Sequence, residues 1–275
     1  MGSRVSILIC TYNCEKYIEN TLQTIFDQTY KNWELLILDN DSKDKTKQIL
    51  KNHEKNSKIK IFYSKTNLGA YPGLNFLLDK AKGKYIAIQD HDDLWHPEKL
   101  EKQVSFLEKN KKYIGCGTNF IEYFDGIKKV QLITSKEESS FFVGHTSLVF
   151  RKKKKHRYNL KKKYGTDFNF MKNILCKNKK LIYVLNNYYM LHYRPKNNSN
   201  LGSQWSQKMT YNEFSEINKH SSQYKNKTYN FFQFIISKLP NTIRWWVVIN
   251  LQPRKYKSIK KINIPEWNYF KKYYN

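Results

Sequence analysis

Four times within its first ninety residues the chain repeats one pattern: an apolar run of strand length that ends in polar residues, then a helical stretch. The runs are Val5–Cys10, Trp33–Leu38, Ile59–Tyr63 and Tyr85–Gln89. After the first, Ile18, Leu22, Ile25 and Phe26 recur at helical spacing; after the third, Leu74, Leu77, Leu78 and Ala81 do so, and Gly83 closes the segment. Asp44 and Thr46 open a polar helix that reaches about Lys55. Strands alternating with helices give a parallel sheet with right-handed crossovers. The expected fold class is therefore α/β, a mostly parallel, Rossmann-like sheet flanked by helices. The C-terminal ends of such strands share one edge, where ligands bind. Thr11, Asp39 and Asp90 can converge there despite their distance in sequence.

The fourth run ends in Asp90-His91-Asp92-Asp93-Leu94-Trp95-His96-Pro97. Three carboxylates within four residues repel one another. The natural compensation is a hard divalent cation with oxygen ligands, Mg²⁺ or Mn²⁺, shared with a phosphate. A solvated acidic turn is the plainer alternative, but such a turn seldom follows so apolar a strand so directly. Pro97 and Glu98 begin the next helix, which carries Leu100, Val104 and Leu107 to about Asn110.

Farther on, Tyr113–Phe124, Val130–Thr134, Thr146–Phe150 and Lys180–Tyr193 are expected strands, with Asp125-Gly126 as a hairpin turn and Asp167–Leu175 as a helix. The basic stretch Arg151–Lys163 fits a solvated loop with some capacity for phosphate. From about Gln204 acidic residues become scarce and aromatics mix with lysines, as in Phe231–Ile236 and Ile243–Ile249, so this end is expected to be helical, basic and amphipathic.

Fifty Lys and Arg against 23 Asp and Glu give 275 residues a formal net charge of +27. That surplus suits an anionic partner: nucleic acid, a phosphorylated substrate or an acidic membrane face. Acidic clusters at strand ends repel nucleic acid, so none is expected. A nucleotidyltransferase would want a Gly-rich, basic loop after the first strand, which Thr11-Tyr12-Asn13-Cys14 does not provide. No run approaches the roughly 20 apolar residues of a membrane span, and the N-terminus enters a strand at once, leaving no room for a signal peptide. Cys10, Cys14, Cys116 and Cys176 lack metal-ligand spacing and fit reduced thiols of a cytoplasmic protein, the first two as packing residues.

Ser6-Ile7-Leu8-Ile9-Cys10-Thr11-Tyr12-Asn13, Asp39-Asn40-Asp41-Ser42-Lys43-Asp44, Asn67-Leu68-Gly69 and Asp90-His91-Asp92-Asp93 occur in this order, each at a strand's end. Together they resemble the family 2 glycosyltransferases of the GT-A fold, closely over residues 4 to 110 and more loosely to about 200. The resemblance implies an inverting transfer of a single sugar from a nucleotide-sugar donor, with a lean toward uridine, to a glycan or lipid-linked saccharide of surface polysaccharide or lipooligosaccharide biosynthesis. It implies Asp92 as the metal contact, Asp90 facing ribose and metal water, Asp93 as a supporting carboxylate and Asp39 as the contact to the base. Thr11, Tyr12, Asn13, Asn67 and Gly69 line the nucleotide pocket; Glu15 either caps its helix or touches the nucleotide, capping being favoured.

In Tyr164-Gly165-Thr166-Asp167-Phe168, Asp167 matches the general base, which removes the acceptor's proton. Arg194 of Tyr193-Arg194 matches a diphosphate contact. Where the family often has a histidine two residues later, this chain has Lys196, which puts a third protein metal ligand in doubt and offers a positive charge instead. Trp95 and His145 are candidates for supporting or bordering the acceptor pocket. His192 is expected to face differently in its strand and to be structural.

The expected organisation is a catalytic unit over 1–200, with a donor half 1–110 and an acceptor-side half 111–200, followed by a basic aromatic extension over 201–275. In that extension Trp245 and Trp246 beside Arg244, followed by Arg254, Lys255, Lys257, Lys260 and Lys261, suit a helix on an anionic membrane surface, at the cytoplasmic face of the inner membrane. Packing onto the catalytic core and a homodimer interface are the alternatives.

Overall fold

The computed structural model describes residues 2–135, 138–139, 143–161, 164–177, 181–194, 208, 210–218, 227–239, 243, 247, 257–258 and 262–273. Strands β1 (Val5–Thr11), β2 (Trp33–Asp39), β3 (Ile59–Tyr63) and β4 (Tyr85–Ile88) lie parallel in the order β3-β2-β1-β4. Helices α1 (Ile18–Phe26), α2 (Thr46–Lys51) and α3 (Ala70–Lys80) connect them. The polar helix expected to reach Lys55 stops at Lys51, where the chain breaks into turns closed by Asn56, whose Oδ1 accepts the Lys58 amide at 3.0 Å.

Both sheet faces are covered, so the strands are apolar throughout, and alternation sorts their side chains. Val5, Ile7, Ile9, Leu35, Ile37 and Ala87 pack with Ile18, Leu22 and Ile25 of α1 and with Leu100, Val104 and Leu107 of α4 (Lys99–Lys109). Leu8, Leu36, Leu38, Ile86 and Ile88 face the other way, onto Leu74, Leu77 and Leu78 of α3. The register sets Thr11 beside Asp39 and Asp39 beside Tyr63, while Ile88 pairs with Leu8. Everything following these residues emerges at one edge.

The second half of the sheet is mixed. β9 (Val149–Arg151) runs antiparallel between β4 and β6 (Gly115–Phe124); β7 (Lys129–Ile133) returns antiparallel along β6. The long β10 (Ile182–Arg194) is parallel to β6 and antiparallel to β8 (Glu138–Ser139) and to the two-residue β5 (Leu94–Trp95). Leu191 pairs with Leu94, which carries His192, Tyr193 and Arg194 alongside the acidic turn. Between β9 and β10, α5 (Thr166–Asn169) continues into a wider helical turn, Phe170–Leu175.

Toward the C-terminus lie α6 (Tyr211–Asn218), α7 (Lys227–Lys238), β11 (Lys257–Ser258), which pairs with β7, and α8 (Trp267–Phe270). This end packs on the sheet: Trp267 and Phe270 join Leu94, Ile121, Tyr123, Leu191 and Tyr193 in one cluster. Buried Glu266 accepts from the Tyr188 amide at 3.2 Å and from Asn187 Nδ2 at 3.3 Å. The His96 ring stacks on Tyr189 at 5.0 Å and meets Tyr269 at 5.5 Å. Arg244, Trp245 and Trp246 lie outside the described residues, as do Arg254, Lys255, Lys260 and Lys261. No helix among the described residues is long and apolar enough to cross a membrane.

Candidate active site

The turns after β1 and β2 are built into one another. Asn13 and Asp41, both in left-handed backbone conformation (φ 48° and 68°), stand at their tips. The Asn13 amide donates to Ser42 Oγ at 3.0 Å, and Asn13 Oδ1 accepts the Lys43 amide at 2.7 Å. Glu15 Oε2 accepts the Lys45 amide at 2.9 Å, so Glu15 caps α2, across the sheet edge, rather than its own helix. Thr11 is buried with its hydroxyl donating to the Leu38 carbonyl at 3.2 Å. Asn67 Oδ1 accepts from Asn40 Nδ2 at 2.9 Å and from the Gly69 amide at 2.8 Å, tying the turn before α3 to the end of β2. Gly69 (φ 85°) occupies a conformation that side chains rarely adopt, which is what glycine supplies there.

Asp39 differs from these. It is buried, and among the described residues its Oδ1 has no hydrogen-bond partner, a costly condition that a ligand donor would relieve. Tyr12 and Leu68, in the adjoining turns, are among the few large apolar side chains left exposed. Cys10 lies between the two acidic ends: burial first, then the charges of Asp90 and Asp39, push its thiol up to about 12.

The acidic turn divides its carboxylates by role. Asp93 is fully buried and fully engaged: Oδ1 faces His192 Nδ1 at 2.7 Å and accepts the Tyr193 amide at 3.2 Å, while Oδ2 accepts from the Thr146 hydroxyl at 2.6 Å. Asp90 and Asp92 are half-buried, and among the described residues no side chain donates to either. Burial, then Asp93 and Asp92, push the Asp90 carboxyl up to about 8; His192 pulls it down and Asp167 adds to the rise. Burial also raises Asp92, opposed by His91 and reinforced by Asp93.

Two crowded carboxylates without donors fit a hard divalent cation. Among the described residues no three His, Cys, Asp or Glu groups could hold a metal ion together. Asp90 and Asp92 are the residues that would hold such an ion, whose preference for oxygen ligands they match.

Asp167 follows Gly165, whose left-handed φ of 62° turns the chain into α5. Its charge is felt by Asp90, Tyr71, Tyr158 and His145, so the fold brings it to the same region. His145 Nε2 lies 2.6 Å from the Tyr158 hydroxyl, and burial lowers its basicity against the pull of Asp167 and Asp93. Tyr158 stacks on Phe170 and adjoins Tyr71 at 5.2 Å. Neither tyrosine was singled out by the sequence, because both sit in segments that look like loop or helix start.

Three further residues have definite places. Trp95, two residues past the acidic turn's Asp93, is fully buried, its Nε1 donating to the Thr146 carbonyl at 3.2 Å. Arg194 is bound to Glu122 through Nε at 3.1 Å and Nη2 at 2.6 Å. His192 does not face away: a period of two puts it on the same side as Arg194, and it reaches Asp93. Lys196 lies outside the described residues.

Known proteins share both sequence and architecture with this chain. UDP-Glc:alpha-D-GlcNAc-diphosphoundecaprenol beta-1,3-glucosyltransferase WfaP of Escherichia coli is 39% identical over 118 residues, 43% of this chain and 47% of that one. The chain spans about half the length of the first curated relatives it matches. Among solved structures, S. aureus TarS 1-349 in complex with UDP superposes with a TM-score of 0.60 at 18% identity, over 85% of this chain and 78% of that one. Mannosyltransferase PcManGT from Pyrobaculum calidifontis, in complex with GDP-Man and Mn²⁺, gives 0.60 at 14% identity, over 99% and 79%. These two likenesses place the fold among the GT-A glycosyltransferases. The family model for glycosyl transferase family 2 matches residues 6–180, more than half of the chain, and on that ground the chain belongs to glycosyl transferase family 2.

Proposed function

We propose that this glycosyltransferase moves one sugar from a nucleoside-diphosphate donor, a uridine donor first, to a hydroxyl of a glycan or lipid-linked saccharide in surface polysaccharide assembly, inverting the anomeric carbon. The observation that carries the reading is the donor-free Asp90, whose carboxyl feels Asp92 and, from a distant segment, Asp167, with Cys10 between it and the buried, unpaired Oδ1 of Asp39. Asp39 Oδ1 would accept the imino proton of the base, with Tyr12 and Leu68 giving it apolar faces. Asp90 and Asp92 would hold Mn²⁺ or Mg²⁺, which when bound supplies positive charge to the diphosphate. Asp167 takes the acceptor's hydroxyl proton as that oxygen attacks the anomeric carbon, and the sugar–phosphate bond breaks with its electron pair leaving on the diphosphate. A single displacement of this kind inverts configuration.

Relatives support the substrate classes: WfaP carries UDP-Glc and a diphosphoundecaprenol-linked acceptor in its name, and PcManGT was solved with GDP-Man and Mn²⁺. The reading takes 1–200 as the catalytic unit and 201–275 as a basic extension whose α7 contacts an anionic membrane, at the cytoplasmic face where a lipid-linked acceptor is held. On α7, Phe231, Phe232 and Ile235 are exposed (50%, 60% and 45%) on the side opposite the buried Ser237.

A thermal-shift screen of UDP- and GDP-sugars with and without Mn²⁺ tests the proposal. At least one nucleotide sugar should raise the melting temperature, and more so with Mn²⁺; no shift with any of them would reject the donor reading.

A further inference from the structure

We propose that His192 is a direct contact for the donor's diphosphate, a role that rests on the nucleotide-sugar reading above. Its ring is anchored through one nitrogen. Nδ1 lies 2.7 Å from Asp93 Oδ1, whereas Nε2 forms no hydrogen bond among the described residues. The anchor is itself held, because the Tyr193 amide of the same strand and the Thr146 hydroxyl of another segment donate to the same buried carboxylate. A carboxylate pinned by three donors fixes the plane of the imidazole and leaves the second nitrogen pre-positioned.

The ring also stands beside the acidic turn, because the antiparallel pairing of Leu191 with Leu94 sets His192 opposite Asp93. Its charge lowers the carboxyl groups of Asp90 and Asp92, the two carboxylates that lack side-chain donors. Burial and Arg194 act against protonation of His192, and Asp93 reverses them, so the imidazole is held above its usual basicity. An imidazolium donates from both nitrogens; with Nδ1 given to Asp93, Nε2–H remains for a phosphate oxygen. That hydrogen bond strengthens as the departing diphosphate gains charge, and no proton needs to transfer. Arg194, the sequence's candidate for this contact, has two of its donors committed to Glu122.

Titration calorimetry with UDP and UMP, in the presence of Mn²⁺, tests this on His192→Asn and His192→Gln. An Asn amide can keep the bond to Asp93 but has no atom at the Nε2 position; a Gln amide reaches that position. UDP affinity should fall about tenfold in His192→Asn with UMP affinity unchanged, and the preference for UDP over UMP should rank wild type, then Gln, then Asn. A role confined to bracing Asp93 would make Asn the milder variant and weaken both nucleotides alike. Equal losses for UDP and UMP, or an unchanged UDP affinity in His192→Asn, overturn the proposal. Should His192→Asn not fold, the UDP-to-UMP ratio of His192→Gln decides it, and a ratio equal to wild type with UMP binding weakened overturns it. A wild-type chain that binds neither UDP nor GDP rejects the donor reading itself, and this proposal with it.

Discussion

Asp92 and Asp93 are neighbours with different duties, and their hydrogen bonds separate them. Asp93 has three donors and fixes local structure; Asp92 has none from any described side chain and stays available. The resemblance sets Asp92 at the metal and Asp93 in a supporting place; the pairing of β5 with β10, which brings His192 and Tyr193 to Asp93, is what occupies its carboxylate. The placing of Asp39 and Asp90 at one sheet edge was legible because an apolar run leads into each. His192 was not, because its significance comes from a partner 99 positions away. Asp167 carries a prediction at this scale. Asp167→Asn should leave UDP affinity within about twofold of wild type while turnover falls by roughly 10²–10⁴, the usual contribution of a general base. Unchanged turnover, measured by release of UDP from a UDP-sugar with acceptor present, would remove it from the mechanism.

At the level of elements, the first four strands were readable because their signals are local: an unbroken apolar run, a polar turn, then helical periodicity. The second half was less so. β10 shifts register between Leu185 and Met190 and touches three other strands, so alternation alone could not assign its faces. Close contact between elements also leaves marks that a sequence does not explain. Gly83 passes so near β1 that an added Cβ would meet the Ser6 amide nitrogen at 2.5 Å and the Arg4 carbonyl at 2.8 Å. Gly83→Ala should destabilise by about 1–3 kcal/mol, as overpacking does, measured by urea unfolding; a value within about 0.5 kcal/mol of wild type would contradict that contact.

Helix α4 holds a buried cation. Lys99 is fully buried, 3.9 Å from the Trp95 ring centroid, with Nζ donating to Gln103 Oε1 at 3.0 Å and no ion-pair partner among the described residues. Burial lowers its pKa from 10.5 to about 7. Between those values the unfolded chain binds a proton that the native chain does not, so Lys99 makes stability rise with pH across that window. Relative to Lys99→Met, the wild type should gain stability between pH 7 and about pH 9.5. Parallel urea-unfolding profiles for the two proteins would contradict this.

Across the whole molecule, the charge of +27 does not act alone. Residues 201–275 hold thirteen Lys and Arg against three Glu, and the exposed apolar side of α7 lies within that stretch. Of the tail's three expectations, packing is seen at α8, which joins the sheet's cluster, while α7 shows an apolar side outward. A Phe231→Ser/Phe232→Ser/Ile235→Ser variant should lose co-sedimentation with vesicles rich in anionic lipid while binding UDP as the wild type does. Equal sedimentation of the two proteins would reject the membrane contact and leave the catalytic reading intact.

A cation held by the acidic turn for the donor's diphosphate is tested by calorimetry of UDP binding to Asp92→Ala with and without Mn²⁺. The wild type should bind UDP about tenfold or more tightly with Mn²⁺, and the variant should show no such gain. The same Mn²⁺-dependent gain in Asp92→Ala would mean that the acidic turn does not hold the ion.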